Sequence, residues 1–372
     1  MSAAQRSGPV GVALIGAGVI SAQYLKTLST FPDVRLLGIA DLDAARAREA
    51  AEPYGIPVAG GVDEVLAVPE VEVVVNLTVP AAHTAVARQV LAAGKHVYGE
   101  KPLALDAEDG AKLLAEAAQA GLRVGSAPDT FLGAGLQSAA RAIRSGAIGE
   151  PLSATTAVTN AGPERWHHSP EFLFAAGAGP LFDLGPYYLT ALAALFGSPV
   201  TRVAATARRA RAERVIGSGP RAGSTFPVEV PTDVTALLEF AGGQGASSRF
   251  SFDAPVKRTL IEITGTEAEL RVPDPNFFDG VLLRRAVGET EWTELPVTGP
   301  TSGRGLGVLD LARALRAGVP ARASGELALH VVDAMCAIDR SAAEGTFQQV
   351  ASTCPTPEPL PEEWDPEAAT LA

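Results

Sequence analysis

Apolar runs and helical patterns alternate along the first third of the chain. Compact apolar runs, several of them rich in β-branched residues, cover residues 10–15, 34–40, 56–59, 71–77, 96–99 and 122–126. Helical patterns lie between them, up to residue 28 and then at 44–51, 82–93 and 106–121. Because strands that alternate with helices are joined by right-handed crossovers, this pattern predicts a parallel sheet with both faces covered.

A different pattern begins after about residue 126. Runs typical of strands now follow one another directly, at residues 152–158, 200–207, 234–240, 246–252, 259–264, 269–272 and 280–283. Several of these runs alternate apolar and polar residues, as strands with one covered face do. Two helices are predicted near the end, at 306–317 and 326–343. We therefore expect a second domain that is built on a mainly antiparallel sheet.

Residues 209–231 interrupt this second pattern with a stretch rich in Gly, Pro and Arg. We interpret the stretch as a connection between strands. The arginines at its start, Arg208 just before it with Arg209, Arg211 and Arg214, are expected to form a solvated loop and not an anion site.

The composition limits the partners and the compartment. The chain has 372 residues, with 30 Lys and Arg against 42 Asp and Glu, for a formal net charge of −12. This acidic balance argues against nucleic-acid binding, which depends on basic surface. Two cysteines are too few for a disulfide framework, and neither an apolar leader nor a membrane-length apolar run is visible. We expect a cytoplasmic protein without nucleic-acid or membrane partners.

The first candidate site is the turn Gly-Ala-Gly-Val-Ile-Ser at residues 16–21. It follows a predicted strand and opens a helix, which is the context that a dinucleotide fingerprint requires. Gly16 permits the tight turn, and Gly18 lets a pyrophosphate approach the backbone where the helix begins, at Val19 and Ile20. Ser21 replaces the usual Gly or Ala at the third position but is still small. A purely structural turn is the alternative.

Asp41 ends the second predicted strand, where an acid can accept both hydroxyls of a ribose. A carboxylate there repels a 2′-phosphate, so the sequence favours NAD over NADP. NADP stays open because Arg46 and Arg48 lie close along the chain. The structural alternative is that Asp41 caps the next helix.

The second candidate site is Glu100-Lys101-Pro102, directly after the fifth predicted strand. Ligands of parallel sheets bind outside the carboxyl ends of the strands, so this segment is expected to face the cofactor. Lysine is rare in this chain, with 5 in total, and Lys101 is well placed to exchange a proton with a substrate hydroxyl. The alternative is an ordinary Glu–Lys pair at a strand end.

The third candidate site lies in a predicted helix within residues 177–197. Asp183 and Tyr187 are spaced i and i+4, so one helical face can present a carboxylate beside a phenol. This pair would suit a substrate hydroxyl. The alternative is equally open: Asp183 caps the helix and Tyr187 packs in the core.

Aromatic and imidazole side chains gather upstream, at Trp166, His167 and His168. An aromatic face beside polar tips suits stacking against a sugar ring. Adjacent histidines point apart and no third ligand is visible, so no metal site is predicted. His83 lies in a helical pattern, where a structural histidine is the default interpretation.

Taken together, five segments resemble the Gfo/Idh/MocA oxidoreductases, the family of glucose–fructose oxidoreductase and inositol dehydrogenase. They are GAGVIS (16–21), Asp41, TVPAAH (78–83), AGKHVYGEKPLAL (93–105) and GAGPLFDLGPYY (177–188). The resemblance runs from about residue 9 to 350. It implies an α/β protein with a Rossmann domain, which we place at 1–126, and a substrate-binding α/β domain with an open, mainly antiparallel sheet, at 127–352. Residues 353–372 remain as an extended acidic tail.

The resemblance also implies roles for individual residues. The lysine of the family's Glu-Lys-Pro motif corresponds to Lys101, which would be the proton-transfer residue beside the nicotinamide. Glu100 would be one of the cofactor-binding residues. Thr78, Pro80 and His83 match the loop beside the nicotinamide ribose.

Two further implied positions concern the substrate. The family's Asp-x-Gly-x-His motif falls on Asp183, Gly185 and Tyr187, so tyrosine replaces the usual histidine. Tyrosine can still donate a hydrogen bond or a proton, although its ordinary pKa is about 10. Asp129, Trp166 and His167 are additional candidates for the substrate pocket.

The expected function is therefore hydride transfer between a nicotinamide cofactor, NAD or alternatively NADP, and a secondary hydroxyl or ketone of a sugar or cyclic polyol. Two other functions found in the family stay open: an NAD-dependent glycosidase that oxidises its substrate transiently, and an NAD-binding regulator without catalysis. The resemblance further implies a homodimer or homotetramer, formed through the outer face of the second sheet.

Overall fold

The alternating N-terminal pattern folds into a six-stranded parallel sheet, as predicted. In this computed structural model, which describes residues 7–371, its strands are β1 (Val10–Ile15), β2 (Val34–Ala40), β3 (Val58–Gly60), β4 (Val73–Asn76), β5 (His96–Gly99) and β6 (Val124–Ser126). They are ordered β3-β2-β1-β4-β5-β6. Every residue of β1 and β4 is buried, so both faces of the central strands are covered.

Five helices connect these strands: α1 (Ser21–Leu28), α2 (Ala44–Ala51), α3 (Val62–Leu66), α4 (His83–Ala92) and α5 (Ala107–Gln119). β1 lies between β2 and β4, so the strand order reverses there. Ligands of such sheets bind outside the carboxyl ends of the strands at this switch point. The turns that follow β1, β4 and β5 all lie at that edge, and they carry the predicted site segments at 16–21, 78–83 and 100–102.

A second sheet has nine strands in the order β16-β15-β14-β13-β7-β12-β11-β8-β17. Its strands are β7 (Pro151–Thr159), β8 (Val200–Arg208), β11 (Asp233–Phe240), β12 (Gly245–Ser251), β13 (Arg258–Gly265), β14 (Ala268–Arg271), β15 (Leu282–Ala286), β16 (Thr293–Leu295) and β17 (Gln348–Gln349). β7 and β12 pair in parallel, and the other neighbours pair antiparallel. The prediction of a mainly antiparallel sheet is confirmed.

Four more helices complete the described chain: α6 (Ala134–Arg144), α7 (Gly179–Phe196), α8 (Leu306–Ala317) and α9 (Gly325–Glu344). None of the helices in residues 7–371 combines the length and the apolar character that a membrane span needs.

The stretch at 209–231 is more ordered than predicted. It contains a two-stranded antiparallel sheet of β9 (Glu213–Val215) and β10 (Thr225–Pro227). Ile216, Phe226 and Val228 from this stretch pack with Phe174 and Phe252 in one buried cluster. The burial of these apolar side chains explains why the stretch folds against the rest of its unit.

The chain divides into two compact units that are not contiguous in sequence. The first unit takes residues up to 134, then 298–329 and the segment from 357 onward, and the second takes 135–297 and 330–356. This differs from the contiguous ranges 1–126, 127–352 and 353–372 that the sequence suggested, of which residues 1–6 and 372 lie outside the described part.

Hydrogen bonds explain why late segments belong to the first unit. Ser126, at the end of β6, donates its N–H to the carbonyl of Ala323. The tail after residue 356 has an irregular backbone, and its residues Thr370 and Leu371 donate N–H groups to the buried carboxylate of Asp33 at 2.9 Å each. The tail, which was expected to be extended, contains short turns and is packed on the first unit.

Candidate functional site

The turn after β1 has the backbone that its glycines require. Gly16 has φ +104°, and a Cβ at this position would come within 2.7 Å of the Leu77 carbonyl oxygen. A Cβ on Gly18 would meet no atom of residues 7–371 within 4 Å, so this side of the backbone is open to an approaching group. The pyrophosphate of a dinucleotide fits such a turn.

The start of α1 accommodates the serine that departs from the fingerprint. Ser21 is buried, and its Oγ donates to the Gly18 carbonyl at 2.6 Å, so the small hydroxyl stabilises the turn. Val19 is 93% exposed, and Ile20 is half-buried. Both lie at the positively polarised end of α1, where an anionic ligand is favoured.

Asp41 binds this turn and does not cap α2. Its Oδ2 accepts the Ala17 N–H at 2.8 Å, and its Oδ1 accepts the Asp43 N–H at 2.9 Å. Asp43 is the residue that caps α2, because its carboxylate accepts the Ala45 N–H. The helix-cap alternative for Asp41 is therefore wrong. Arg46 Nη1 lies 3.6 Å from Asp41 Oδ1.

The loop after β4 depends on a residue that the sequence analysis missed. Asn76, the last residue of β4, is buried, and its Nδ2 donates to the His83 carbonyl at 2.9 Å. Its Oδ1 accepts the hydroxyl of Thr78 at 2.7 Å and the Thr78 N–H at 3.2 Å. Pro80 is exposed just beyond. The sequence signal that could have identified Asn76 is a single amide side chain directly after a run of valines.

His83 links this loop to the Glu-Lys-Pro segment. Its imidazole is buried, with Nδ1 at 2.7 Å from the Pro102 carbonyl oxygen and Nε2 at 3.0 Å from the Thr78 carbonyl oxygen. Both nitrogens are thus directed at backbone groups. His83 holds two loops together here, which differs from the direct cofactor contact expected from the motif.

Glu100, Lys101 and Pro102 follow β5 at the edge where ligands bind. Glu100 is buried, and its Oε1 accepts the hydroxyl of Tyr24 at 2.7 Å. Its Oε2 accepts the backbone N–H of Lys101 at 3.1 Å. The Lys101 residue itself is half-buried. Tyr24 was not singled out from the sequence, where it is one more large residue on the buried face of α1.

Asp129 lies in the interior of the first unit. It is 1% exposed, and its Oδ2 accepts the N–H groups of Gly305 at 2.8 Å and Gly307 at 3.1 Å, at the start of α8. Burial raises its pKa to about 6, with nearby Glu100 adding to the shift and the two amide hydrogen bonds opposing it. This position differs from the substrate contact that the sequence suggested, because the carboxylate supports a helix start.

Asp183 and Tyr187 both lie on α7 in the second unit. The helix begins at Gly179, so Asp183 is not its capping residue, and that alternative is wrong. Asp183 is half-buried and Tyr187 is buried. Between them, a Cβ on Gly185 would approach the Met335 sulfur to 3.1 Å, so the glycine allows close helix packing.

The segment before α7 holds three rings in edge-on contact, of which the outer two are exposed and the middle one is half-buried. Trp166 is 67% exposed and lies edge-on to His167, with ring centroids 5.6 Å apart. His167 in turn lies edge-on to Phe172, at 5.4 Å, and Phe172 is 55% exposed. Phe172 was not predicted, because it lies several positions after Trp166 and His167 in the sequence and contacts His167 only in the folded chain.

Arg214 corrects the interpretation of the arginine cluster. It is buried, and its Nη1 donates to Glu164 Oε1 at 2.5 Å while Nη2 donates to Asp253. Its guanidinium lies over the ring of Phe174, 5.0 Å from the centroid. Arg214 therefore anchors both ends of the aromatic segment to the sheet of the second unit.

The candidate residues fall into two groups. The first unit holds the proposed cofactor residues with Lys101 and Asp129, and the second holds Trp166, His167, Asp183 and Tyr187. Within residues 7–371, no three His, Cys, Asp or Glu side chains gather as a metal site would require.

Comparison with known proteins gives consistent results in both parts of the chain. Residues 10–127 match the family profile "Oxidoreductase family, NAD-binding Rossmann fold", and residues 136–271 match the profile "GFO/IDH/MocA C-terminal domain". Among curated proteins, trans-1,2-dihydrobenzene-1,2-diol dehydrogenase from Bos taurus is 27% identical over 265 residues, which are 70% of this chain and 73% of that protein.

Solved structures show the same fold. An NAD-binding oxidoreductase from Klebsiella pneumoniae has a TM-score of 0.81 at 24% identity, covering 93% of this chain and 100% of the other. Levoglucosan dehydrogenase in complex with NADH and L-sorbose has a TM-score of 0.78 at 22% identity, again covering 93% and 100%. Since the two profiles together cover most of the sequence, the chain belongs to the Gfo/Idh/MocA oxidoreductase family.

Proposed function

We propose that this protein is an NAD-dependent dehydrogenase or ketoreductase for a secondary hydroxyl or ketone of a sugar or cyclic polyol. The observation that carries the proposal is the Glu-Lys-Pro turn, where the buried Glu100 carboxylate holds the backbone of Lys101 at the ligand-binding edge of the sheet. A nicotinamide bound there supplies the hydride acceptor or donor.

Asp41 supports NAD as the cofactor. Its carboxylate lies at the end of β2, where a ribose would be bound, and its negative charge opposes a 2′-phosphate. Arg46 is the cation that a 2′-phosphate would need, and it lies within 3.6 Å of this same carboxylate. The pairing leaves the arginine partly neutralised, which favours NAD over NADP.

Proton transfer and substrate orientation are assigned to residues of the chain itself. Lys101 takes the proton of the substrate hydroxyl in the oxidative direction and returns it in the reductive one. Asp183 orients the substrate through its hydroxyl groups, and the phenol of Tyr187 assists as a hydrogen-bond donor. Trp166 and His167 present an aromatic face to the apolar side of a sugar ring.

The named relatives agree with this class of substrate. The Bos taurus protein is a dehydrogenase of a cyclic vicinal diol by its name, and the levoglucosan dehydrogenase structure contains NADH with a sugar. A ring that bears neighbouring hydroxyls is common to both.

An absorbance screen at the NADH band, with a panel of sugars and cyclic polyols and both cofactors, tests the proposal. We expect turnover with at least one ring substrate, and loss of about a thousandfold in Lys101→Ala, since positioned acid–base groups contribute about 10²–10⁴-fold. NADH affinity should be retained in the variant. Turnover that survives the substitution would overturn the role of Lys101. Release of an aglycone without net NADH would indicate the glycosidase instead, and absence of turnover throughout would favour the regulator.

Location and assembly remain predictions. We propose a cytoplasmic homodimer or homotetramer, on the strength of the family resemblance. Light scattering after size-exclusion chromatography measures the assembly directly, and a monomer at micromolar concentration would contradict it.

A further inference from the structure

A buried tyrosine connects the nucleotide turn to the Glu-Lys-Pro turn. Tyr24 lies on α1, the helix that begins at Ser21 directly after the glycine turn, and its side chain is 0% exposed. Its hydroxyl donates to Glu100 Oε1 at 2.7 Å, although the two residues are 76 positions apart. One short helix therefore carries both the expected pyrophosphate site and a contact to the segment of Lys101.

Glu100 connects Tyr24 to Lys101 through its two carboxylate oxygens. The carboxylate is planar, so fixing one oxygen fixes the direction of the other. Tyr24 holds Oε1, and Oε2 accepts the backbone N–H of Lys101 at 3.1 Å. Because Glu100 is buried, water does not compete strongly for either oxygen.

The electrostatics keep the phenol in the donor state. Burial raises the pKa of Tyr24 well above its ordinary value, and the charges of Glu100 and Asp129 raise it further. The hydroxyl thus stays protonated wherever the protein is folded, and the hydrogen bond to Glu100 is present across the neutral range.

We propose that Tyr24 is a positioning residue that couples the nucleotide turn to the orientation of Lys101 through the Glu100 carboxylate. The proposal rests on the function assigned above to Lys101. It extends that function, because it makes the lysine's position depend on the helix that would receive the cofactor.

The chain offers a matched control in Tyr98. This tyrosine is also 0% exposed and lies on β5 in the same unit. Its hydroxyl, unlike that of Tyr24, has no hydrogen-bond partner among the described residues. Tyr24→Phe and Tyr98→Phe therefore remove the same atom from the same kind of environment, and only the first removes the contact to Glu100.

A first experiment needs no substrate. Acetylation of Lys101 by acetic anhydride is followed by peptide mass spectrometry, with and without NADH, in wild type and both variants. We expect NADH to slow the reaction in wild type and in Tyr98→Phe. In Tyr24→Phe we expect a rate about threefold higher and little dependence on NADH, because Glu100 has lost the contact that fixes its carboxylate against the Lys101 backbone. Identical rates in the two variants would overturn the proposal.

A second experiment uses turnover. Tyr24→Phe should lower kcat by about tenfold while the substrate KM and the NADH Kd stay within about threefold, as expected when an interaction serves the transition state. Glu100→Leu removes both carboxylate oxygens, and adding Tyr24→Phe to it should have little further effect, because both changes break one chain of contacts. Fully additive effects would overturn the proposal.

The two experiments separate two kinds of failure. If wild type turns over no sugar or polyol, the proposed function fails, and the acetylation rates still decide the role of Tyr24. If Tyr24→Phe does not fold, Glu100→Leu answers the same question, since it removes both oxygens that Tyr24 and Lys101 contact. An unchanged acetylation rate in folded Glu100→Leu would then overturn the proposal.

Discussion

The carboxylate of Asp41 accepts the backbone N–H of Ala17 at 2.8 Å, which ties the end of β2 to the glycine turn after β1. One acid thus has two functions. It stabilises the turn, and it places a negative charge where the ribose of a bound nucleotide is expected. The next acid along the chain, Asp43, caps α2.

This difference predicts a change in cofactor preference. Asp41→Asn keeps an oxygen for the Ala17 N–H but removes the charge that repels a 2′-phosphate. We expect the ratio of NADP to NAD affinity to rise by about fivefold or more, since a like charge at contact distance opposes binding by at least about 1 kcal/mol. Fluorescence titration with NADH and NADPH measures both dissociation constants. Asp43→Asn is the control, because asparagine also caps helices well. Equal ratios in the two variants would show that Asp41 does not select the cofactor.

His83 gives a second prediction, about stability. Its ring lies between the carbonyl oxygens of Thr78 and Pro102, and an imidazole with one N–H donates to one of them. His83→Leu removes that hydrogen bond, so we expect the free energy of unfolding to fall by about 1–3 kcal/mol, the cost of one unsatisfied group. Urea unfolding measures it. The exposed His168 provides the control, and His168→Leu should change the value by less than about 0.5 kcal/mol. Similar losses in both variants would argue against the link.

Much of the fold followed from local pattern. The limits predicted for β1, β2 and α2 agree with the structure to the residue, because each is a single apolar run or helical pattern with a clear polar boundary. The β9–β10 sheet was not predicted. Its strands are three residues each, which is too short for a pattern to stand out from a Gly- and Pro-rich stretch.

Some site residues could likewise be predicted from the sequence, and others could not. Gly16 and Gly18 follow from the sequence because a turn between strand and helix has local requirements. Tyr24 and Arg214 do not, because their roles depend on partners that only the folded chain brings close. Glu100 is 76 positions from Tyr24, and Glu164 is 50 from Arg214. The partners of Asp129 are equally distant, since the amide groups it binds come from the start of α8, 176 and 178 positions along the chain.

Asp129 leads to a prediction about pH. Its pKa in the folded protein is raised by burial to about 6, so protonation favours the folded state. The resulting destabilisation is absent below about pH 4, grows as pH rises from about 4 to 6, and stays constant above, at roughly 3 kcal/mol for a shift of about two units. Asp129→Asn keeps an oxygen for both glycine N–H groups and carries no charge.

We therefore expect Asp129→Asn to be more stable than wild type at pH 7.5 and nearly equal to it at pH 4. Urea unfolding at the two pH values measures the gap. Asp106→Asn, at the exposed cap of α5, should leave stability nearly unchanged at both. If the variant is less stable than wild type at pH 7.5, neighbouring groups in the interior stabilise the ionised carboxylate of Asp129.

The last prediction concerns Arg214 and the aromatic segment that it anchors. Arg214→Met keeps an unbranched apolar stem, but removes the guanidinium over Phe174 and leaves the Glu164 and Asp253 carboxylates without their cation. Removing one partner from a buried ion pair typically costs about 3–5 kcal/mol, because the remaining charge is stranded. Arg211→Met, at an exposed position of the same stretch, is the control and should be nearly neutral.

Two measurements separate the stability effect from the functional one. Arg214→Met combined with Glu164→Gln and Asp253→Asn removes the stranded charges, so urea unfolding should show that part of the lost stability returns. If the segment of Trp166 and His167 contacts the substrate, both Arg214 variants should raise the substrate KM while the NADH Kd stays unchanged, because the segment lies in the second unit and the nucleotide turn in the first. A rise in KM that disappears in the triple variant would mean that the charge imbalance, and not the lost anchor, disturbs the segment.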